Sequence, residues 1–378
     1  MRVVVAIDSF KGSLSSASAG NAVKEAVCRL DKDAEVIVKP LADGGEGTVD
    51  ALASALDSEI VEIDVSDPLM RSVKAKYCIL KSSNTAVIEM ASASGITLVS
   101  AEERNPLETT TYGVGELIKD AINKGCRRFI VGIGGSATND GGTGMLTALG
   151  VRFLDKNGQP ISLGAKGLEE LYRIDTENAI SELRECTFII ACDVKNPLCG
   201  KNGCSAVFAP QKGATPDMIV KMDAWLEKYA EITKSVSDKA DRDFEGAGAA
   251  GGLGFAFLSY TNAALKSGID IVLDEIKIEE EIKRADVVVT GEGRLDSQTV
   301  MGKAPIGVAR LAKKYGKKVI AFCGCTTADA EICNEHGIDA YFPILRSVTS
   351  LDEALDINNA YDNLRATAYQ VFRLIEMK

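Results

Sequence analysis

In open α/β sheets ligands bind beyond the carboxyl ends of the strands, so polar residues that directly follow apolar runs carry the most information. Five such places stand out in this chain. "IDSFKGS" sets Asp8, Ser9, Lys11 and Ser13 after the first apolar run, and "PLADGGEGT" sets Asp43 and Glu46 around a glycine pair. "GGSATNDGGTG" offers Gly135, Ser136, Thr138, Asn139, Asp140, Gly141 and Gly142. "ACDVKNPL" offers Asp193, Lys195 and Asn196, and "TGEGRLDSQT" offers Glu292, Arg294, Asp296 and Gln298. Taken singly, each has a plain structural reading: an Asp after a strand as a turn or cap residue, Lys11 as a solvated lysine, the glycine pairs as tight turns. "GEGRLD" resists that reading. It puts two carboxylates and a guanidinium within a few residues of a buried β run, where a solvent-facing turn would be cheaper to build.

The glycine-rich segment 134–144 is the best phosphate-loop candidate. Successive backbone N–H groups in such a turn can form an anion-binding nest, and a helix beginning near Gly142 would add its N-terminal partial charge. It is not a Walker loop, since the chain contains no GxxxxGK[ST]. "GIGGSA" matches the dinucleotide fingerprint only loosely, with no ribose-binding acid at the expected strand end. Together the carboxylates Asp8, Asp43, Glu46, Asp193, Glu292 and Asp296 outnumber the cations Lys11, Lys195, Arg294 and Lys303. That mixture suits a polyphosphate held with Mg²⁺, the acids taking the metal and its waters, the cations facing anionic oxygens. The single histidine, His336, reads as a helix C-terminal residue. With no G-x-S-x-G elbow to pair with it, a Ser-His-Asp triad is excluded and base catalysis falls to a carboxylate or a lysine.

The elements that must position these residues read as α/β. A strand over Val3–Ile7 leads to a helix over Ser16–Leu30, capped by Ser15 or Ser16, with Ala19, Val23, Ala26, Val27 and Leu30 as its apolar stripe. A strand over Glu35–Lys39 and a helix to about Leu56 follow. Next, "EIVEIDVSD", "SVKAKYCIL" and "TAVIEM" read as an antiparallel meander, then a helix near Thr111–Asn123 and a strand at 128–133. The last third returns to parallel texture with "ADVVVTGEG", a helix near Ala304–Tyr315, "KKVIAFCG", "IDAYFPIL" and a C-terminal helix. Both ends therefore look alike and the middle differs. The expected architecture is a flavodoxin/Rossmann-like parallel α/β domain made of residues 1–66 plus 287–378, with a mixed α/β domain of residues 67–286 inserted.

Composition narrows the function classes. Net charge is −11 with no Lys/Arg block, which argues against a nucleic-acid or anionic-membrane surface. No stretch approaches the roughly 18 apolar residues of a membrane span. The opening "MRVVVAIDSF" reaches Asp8 after a very short apolar run, so no signal peptide is expected and the chain reads as cytoplasmic. Ten cysteines in 378 residues are too sparse for a disulfide scaffold, and Cys323-x-Cys325 lacks zinc-site spacing.

At this point the motifs can be read together. "DSFKGSLSS", "PLADGGEGT", "GGSATNDGG", "ACDVKNPL", "FAPQKGA", "GAGAAGGLG" and "GEGRLDSQTVMGKAPIGVA" resemble, in the same order, the class I glycerate kinases of bacteria. The resemblance runs from Asp8 to about Ala309. It implies two α/β domains with the active site in the cleft between them, and ATP- and Mg²⁺-dependent phosphorylation of D-glycerate to 2-phosphoglycerate. A small-molecule substrate and no nucleic-acid or membrane partner go with it, and a homo-oligomer is left open. Alternatives are a kinase of another hydroxy acid or sugar acid, a 3-phosphate-forming glycerate kinase, and a non-catalytic sugar-acid sensor. Under the resemblance Asp193 is the expected base, with Asp296 as second choice, and Lys11 is expected to bridge phosphate oxygens. Arg294 is expected on the glycerate carboxylate, with Asp8, Ser9, Asn196 and Glu292 also at the substrate. The backbone and side chains of Gly135, Ser136, Thr138, Asn139, Asp140, Gly141 and Gly142 are expected to cradle the nucleotide. Asp43 and Glu46, with Glu292, are expected as magnesium or hydroxyl ligands.

Overall fold

The computed structural model describes residues 1–41, 52 and 56–377. Asp43 and Glu46 lie outside the described residues. The chain divides into two compact units, one built from residues of both chain ends and the other containing Asp57–Gly268.

β1 (Arg2–Val5) and β2 (Glu35–Val38) open the chain, with the helix Ser16–Leu30 between them. In the other unit come β3 (Ser58–Ser66), β4 (Ser72–Leu80), β5 (Thr85–Glu89), β6 (Arg128–Gly132), β7 (Arg152–Leu154), β8 (Arg173–Asp175), β9 (Thr187–Ala191) and β10 (Asn262–Lys266). β11 (Val287–Leu295), β12 (Lys318–Thr326) and β13 (Ala340–Pro343) return to the first unit.

The first unit's sheet is wholly parallel in the order β13-β12-β11-β1-β2. Counted within the unit, that is the flavodoxin-like order 2-1-3-4-5, whose direction reverses between β1 and β11. The helix Ser16–Leu30 is capped by Ser15, whose Oγ accepts from Ser18 N at 3.1 Å. It buries Ala19, Val23, Ala26 and Val27. Ser16 does a different job: its Oγ accepts from Leu41 N at 2.7 Å and donates to the carbonyl of Ile7, pinning the strand ends to the helix. These residues share one core with Val3, Val5, Val289, Phe322, Leu364 and Phe372, the last two on the C-terminal helix Ile357–Glu376.

The second unit's sheet runs β10-β9-β6-β5-β4-β3. β5, β6, β9 and β10 are parallel neighbours, while β3–β4 and β4–β5 are antiparallel, the meander expected from the sequence. Phe129 and Phe188 stack at 4.7 Å in its core. Among the described residues the division between the two units falls at 56/57 and 268/269. β3 alternates like a strand of either sheet, but it pairs along its length with β4. The segment 269–286 is tied to the first unit by Lys39 Nζ on the Ile276 carbonyl (3.1 Å) and by Tyr315 on Glu279.

Candidate active site

Two groups of polar side chains lie at carboxyl ends of strands, one in each unit. In the first unit they gather at the reversal between β1 and β11. There Asp8 N donates to the Gly291 carbonyl at 2.9 Å, carrying the ladder past the end of β1. Asp8 is buried and its Oδ1 accepts from Ser9 N at 2.7 Å. Ser9 is half-buried and Lys11 exposed on the following turn. At Gly293 a Cβ would stand 3.4 Å from Lys11 N, so the two loops touch backbone to backbone.

Glu292, Arg294, Asp296 and Lys303 form one charged cluster. Arg294 Nε reaches Asp296 Oδ2 at 3.0 Å, and Lys303 Nζ lies 3.6 Å from Glu292 Oε2 and 3.8 Å from Asp296 Oδ1. Thr299 ties the turn together, its hydroxyl donating to Glu292 Oε1 at 2.7 Å and accepting from Asp296 N at 3.1 Å. Burial raises the Glu292 carboxyl above its ordinary range; Thr299 and Lys303 oppose that rise and Asp296 adds to it. The Arg294 side chain is 60% exposed, and only its Nε is engaged among the described residues. Its outer fork is therefore open to a carboxylate or phosphate in the bidentate geometry a guanidinium favours.

In the second unit the site is a cavity of about 240 Å³ at the carboxyl ends of β6 and β9. Gly134, Gly135, Ser136, Asp193, Val194, Phe208, Gln211, Lys212, Ala249 and Ala250 are among the residues that line it. Asp193 is exposed and its Oδ1 accepts from Gly268 N at 3.1 Å. Ala250, Gly251 and Gly252 all have positive φ, which turns the chain sharply where the helix Ala249–Tyr260 begins. A Cβ at Gly251 would meet the Thr138 carbonyl at 2.1 Å, so the two glycine-rich loops fit against each other only without one.

Of the segment expected to cradle the nucleotide, Gly135 and Ser136 line the cavity, while Thr138, Asn139, Asp140, Gly141 and Gly142 are not among its lining residues. Asp140 is 0% exposed, and its carboxylate accepts from the backbone where the helix Thr143–Ala148 starts. Its carboxylate accepts from Thr111 N (2.8 Å), Thr111 Oγ1 (2.9 Å), Gly142 N (3.0 Å), Gly144 N (3.2 Å) and Thr110 Oγ1 (3.3 Å). The anion at this helix start is thus the protein's own, which is why the segment does not offer that position to a phosphate. Burial pushes the Asp140 carboxyl upward and these donors work against the shift. Asn139 is buried with Nδ2 on Ser205 Oγ at 2.9 Å. Gly141 and Gly142 have positive φ and pack: Cβ atoms there would stand 2.9 Å from the Tyr229 ring and 2.4 Å from Ala256.

Other expected residues are placed as scaffold. Asn196 donates its side-chain amide to the Asn202 carbonyl at 2.8 Å, shaping the 196–202 turn instead of facing the cavity. Lys195 pairs with Glu245 at 3.1 Å. Sequence reading missed Lys212. It lies in the "FAPQKGA" segment, one residue before Gly213 at φ +93°, where a lysine ordinarily reads as solvated. Instead it is 2% exposed, with Nζ donating to Ser136 Oγ (2.7 Å) and the Thr138 carbonyl (2.6 Å). Burial brings its pKa down to about 8, against upward pulls from Cys204 and Asp140.

A buried ammonium bonded to neutral oxygens in a cavity fits an anionic phosphate. No group of three or more possible metal ligands is gathered among the described residues, and Asp43 and Glu46, the expected magnesium ligands, lie outside them.

The comparisons with known proteins agree with one another. The family model described as the glycerate kinase family matches residues 3–376. The chain is 47% identical to a glycerate kinase of Haemophilus influenzae over 378 residues, covering 100% of both chains. It is 47% identical to glycerate 2-kinase of Escherichia coli over 364 residues, 96% of this chain and 95% of that one. A crystal structure from Salmonella typhimurium LT2, of a protein assigned as glycerate kinase 2, superimposes with a TM-score of 0.91 at 45% identity, covering 100% and 98% of the two chains.

Proposed function

The chain belongs to the glycerate kinase family, and from that premise we propose that it transfers the γ-phosphoryl group of ATP to D-glycerate, giving 2-phosphoglycerate. The observation that carries the reading is the second unit's cavity, where Asp193, Ser136 and the buried ammonium of Lys212 converge. Phosphoryl transfer asks the protein mainly for positioning and for countercharge on the transferred group, with a carboxylate near the acceptor proton.

In this reading the cavity takes the nucleotide, and Asp193 at its rim accepts the proton of the attacking hydroxyl. Such help is typically worth about 10²–10⁴-fold. The open fork of Arg294 holds the glycerate carboxylate, and Glu292 and Asp296 accept hydrogen bonds from its hydroxyls. Lys11, exposed and with no ion-pair partner among the described residues, faces phosphate oxygens. Mg²⁺, when bound, would neutralise charge on the phosphates; it commonly uses only one or two carboxylates, and Asp43 and Glu46 carry that expectation outside the described residues.

The test is ADP release with D-glycerate, ATP and Mg²⁺, with the product passed to enolase without mutase. Signal from enolase supports the 2-phosphate product. ADP release without it makes the product the 3-phosphate, and no glycerate-dependent ADP sinks the reading.

A further inference from the structure

Lys212 presents an unbalanced charge. Its side chain is 2% exposed, and the two groups that accept its protons, Ser136 Oγ and the Thr138 carbonyl, are neutral. An ammonium has three protons to donate, so one remains beyond these two bonds. Among the described residues no carboxylate pairs with it. The carboxylate that acts on it, Asp140, is already satisfied by Thr110, Thr111 and the backbone of Gly142 and Gly144. The Cys204 thiol beside it is pushed up to about 12 by burial and stays neutral. Burying a charge costs several kcal/mol, and two neutral acceptors offset only part of that. A lysine whose task was only to bridge two loops would be an expensive way to do it.

The surroundings say what completes the site. Lys212 lines a cavity whose other walls are largely apolar, from Ile133, Ala191, Phe208 and Ala249, and a low-dielectric wall strengthens any charge–charge contact made there. Part of the lining is bare backbone, at Gly134 and Gly135. Nothing stands within 4 Å of where a Gly134 side chain would begin, so no packing demand keeps that position small. The missing Cβ leaves room for a group the size of a phosphate to come against the main chain. We infer that Lys212 is the countercharge for a phosphate of the bound nucleotide, with Ser136 as the residue that positions its ammonium. The inference rests on the nucleotide-dependent reading above and adds the residue that pays the electrostatic cost of the phosphate's burial.

The experiment is calorimetric titration of the full-length wild type, Lys212→Met and Lys212→Gln with a non-hydrolysable ATP analogue and, separately, with D-glycerate. Lys212→Gln removes the charge while keeping an N–H donor for Ser136 and the Thr138 carbonyl, so it serves if Lys212→Met fails to fold. A charge-assisted hydrogen bond is worth roughly 1.5–3 kcal/mol, so the expected loss for the nucleotide is about 100-fold in either variant, with glycerate affinity unchanged. Ser136→Ala, which keeps the charge, is expected to lose no more than about 10-fold. Unchanged nucleotide affinity in a folded variant overturns the inference while leaving the kinase reading intact. Loss of glycerate affinity in place of nucleotide affinity also overturns it, making the partner a carboxylate. A wild type that binds no nucleotide overturns both.

Discussion

Arg294 and Lys303 both approach Asp296, yet they are placed for different work. Lys303 sits between two carboxylates at 3.6 and 3.8 Å and balances them, while Arg294 spends one nitrogen on Asp296 and leaves its fork in solvent. Arg294→Ala is therefore expected to raise the KM for glycerate far more than that for ATP, because a lost bidentate contact falls on the carboxylate substrate. Steady-state kinetics on both substrates checks it; equal rises would move Arg294 to the phosphate site. Asp193→Asn is expected to keep nucleotide affinity and lower kcat at least about 100-fold, within the usual range for a general base. Near-normal turnover would remove Asp193 from that role. Lys212 adds a stability test. Its folded pKa of about 8 lies below the ordinary 10.5, so between those values unfolding takes up a proton. Ligand-free wild type should then gain stability relative to Lys212→Met as pH rises from 8 to 10.5, with Cys204 and Asp140 unchanged around the site. A pH-independent difference in urea unfolding would contradict the shift. That Glu292, Arg294 and Asp296 gather was legible, because charge right after a buried run is costly unless it meets an opposite charge. Asp140 and Lys212 were not: a carboxylate in a glycine-rich turn looks the same whether it faces outward or caps inward, and only tertiary packing buries a lysine.

At the level of elements, the informative feature is how the segment after β6 is locked. Thr111, at the start of the helix Tyr112–Asn123, donates its hydroxyl to Asp140 and accepts from Met145 N at 2.9 Å. One threonine thus joins two helix starts through a carboxylate that five donors surround. Asp140→Asn would turn N–H against N–H at one carboxylate oxygen, leaving buried donors unpaired. It is expected to destabilise the protein by about 2–4 kcal/mol in urea unfolding, the range for breaking a buried polar network. Nucleotide affinity measured well below the new midpoint should stay within a few-fold, since Asp140 does not line the cavity. A selective loss of affinity with stability intact would restore Asp140 to the binding site. Strand and helix types were readable here from period and capping, as at Ser15 and the β3–β5 meander. The boundary beside β3 was not, because alternation marks a half-buried strand without marking where one compact unit ends and the next begins.

For the molecule as a whole, a net charge of −11 repels the anions it must handle, so recognition depends on a few cations set in places of their own. Lys212 lies within Asp57–Gly268, Arg294 and Lys303 within the unit made from both chain ends. The two recognition roles proposed for Lys212 and Arg294 accordingly fall in different units, the nucleotide phosphate with Asp57–Gly268 and the glycerate carboxylate with the unit made from both chain ends. That division has a consequence for cutting the chain. The segment Asp57–Gly268 carries its own core, from Val61 through Phe129 and Phe188 to Phe257, and its six-stranded sheet lies wholly within it. A fragment of residues 57–268 is expected to unfold cooperatively and to bind a non-hydrolysable ATP analogue while showing no glycerate binding by calorimetry. Removing it from residues 1–56 and 269–378, by contrast, leaves those two pieces without a covalent link. Β1 would then have to find β11 by association, since the parallel register Val3–Val287 spans the whole insertion. A folded fragment that binds glycerate instead of nucleotide would reverse the assignment of the two units. One that folds and binds neither would mean that each ligand needs residues from both.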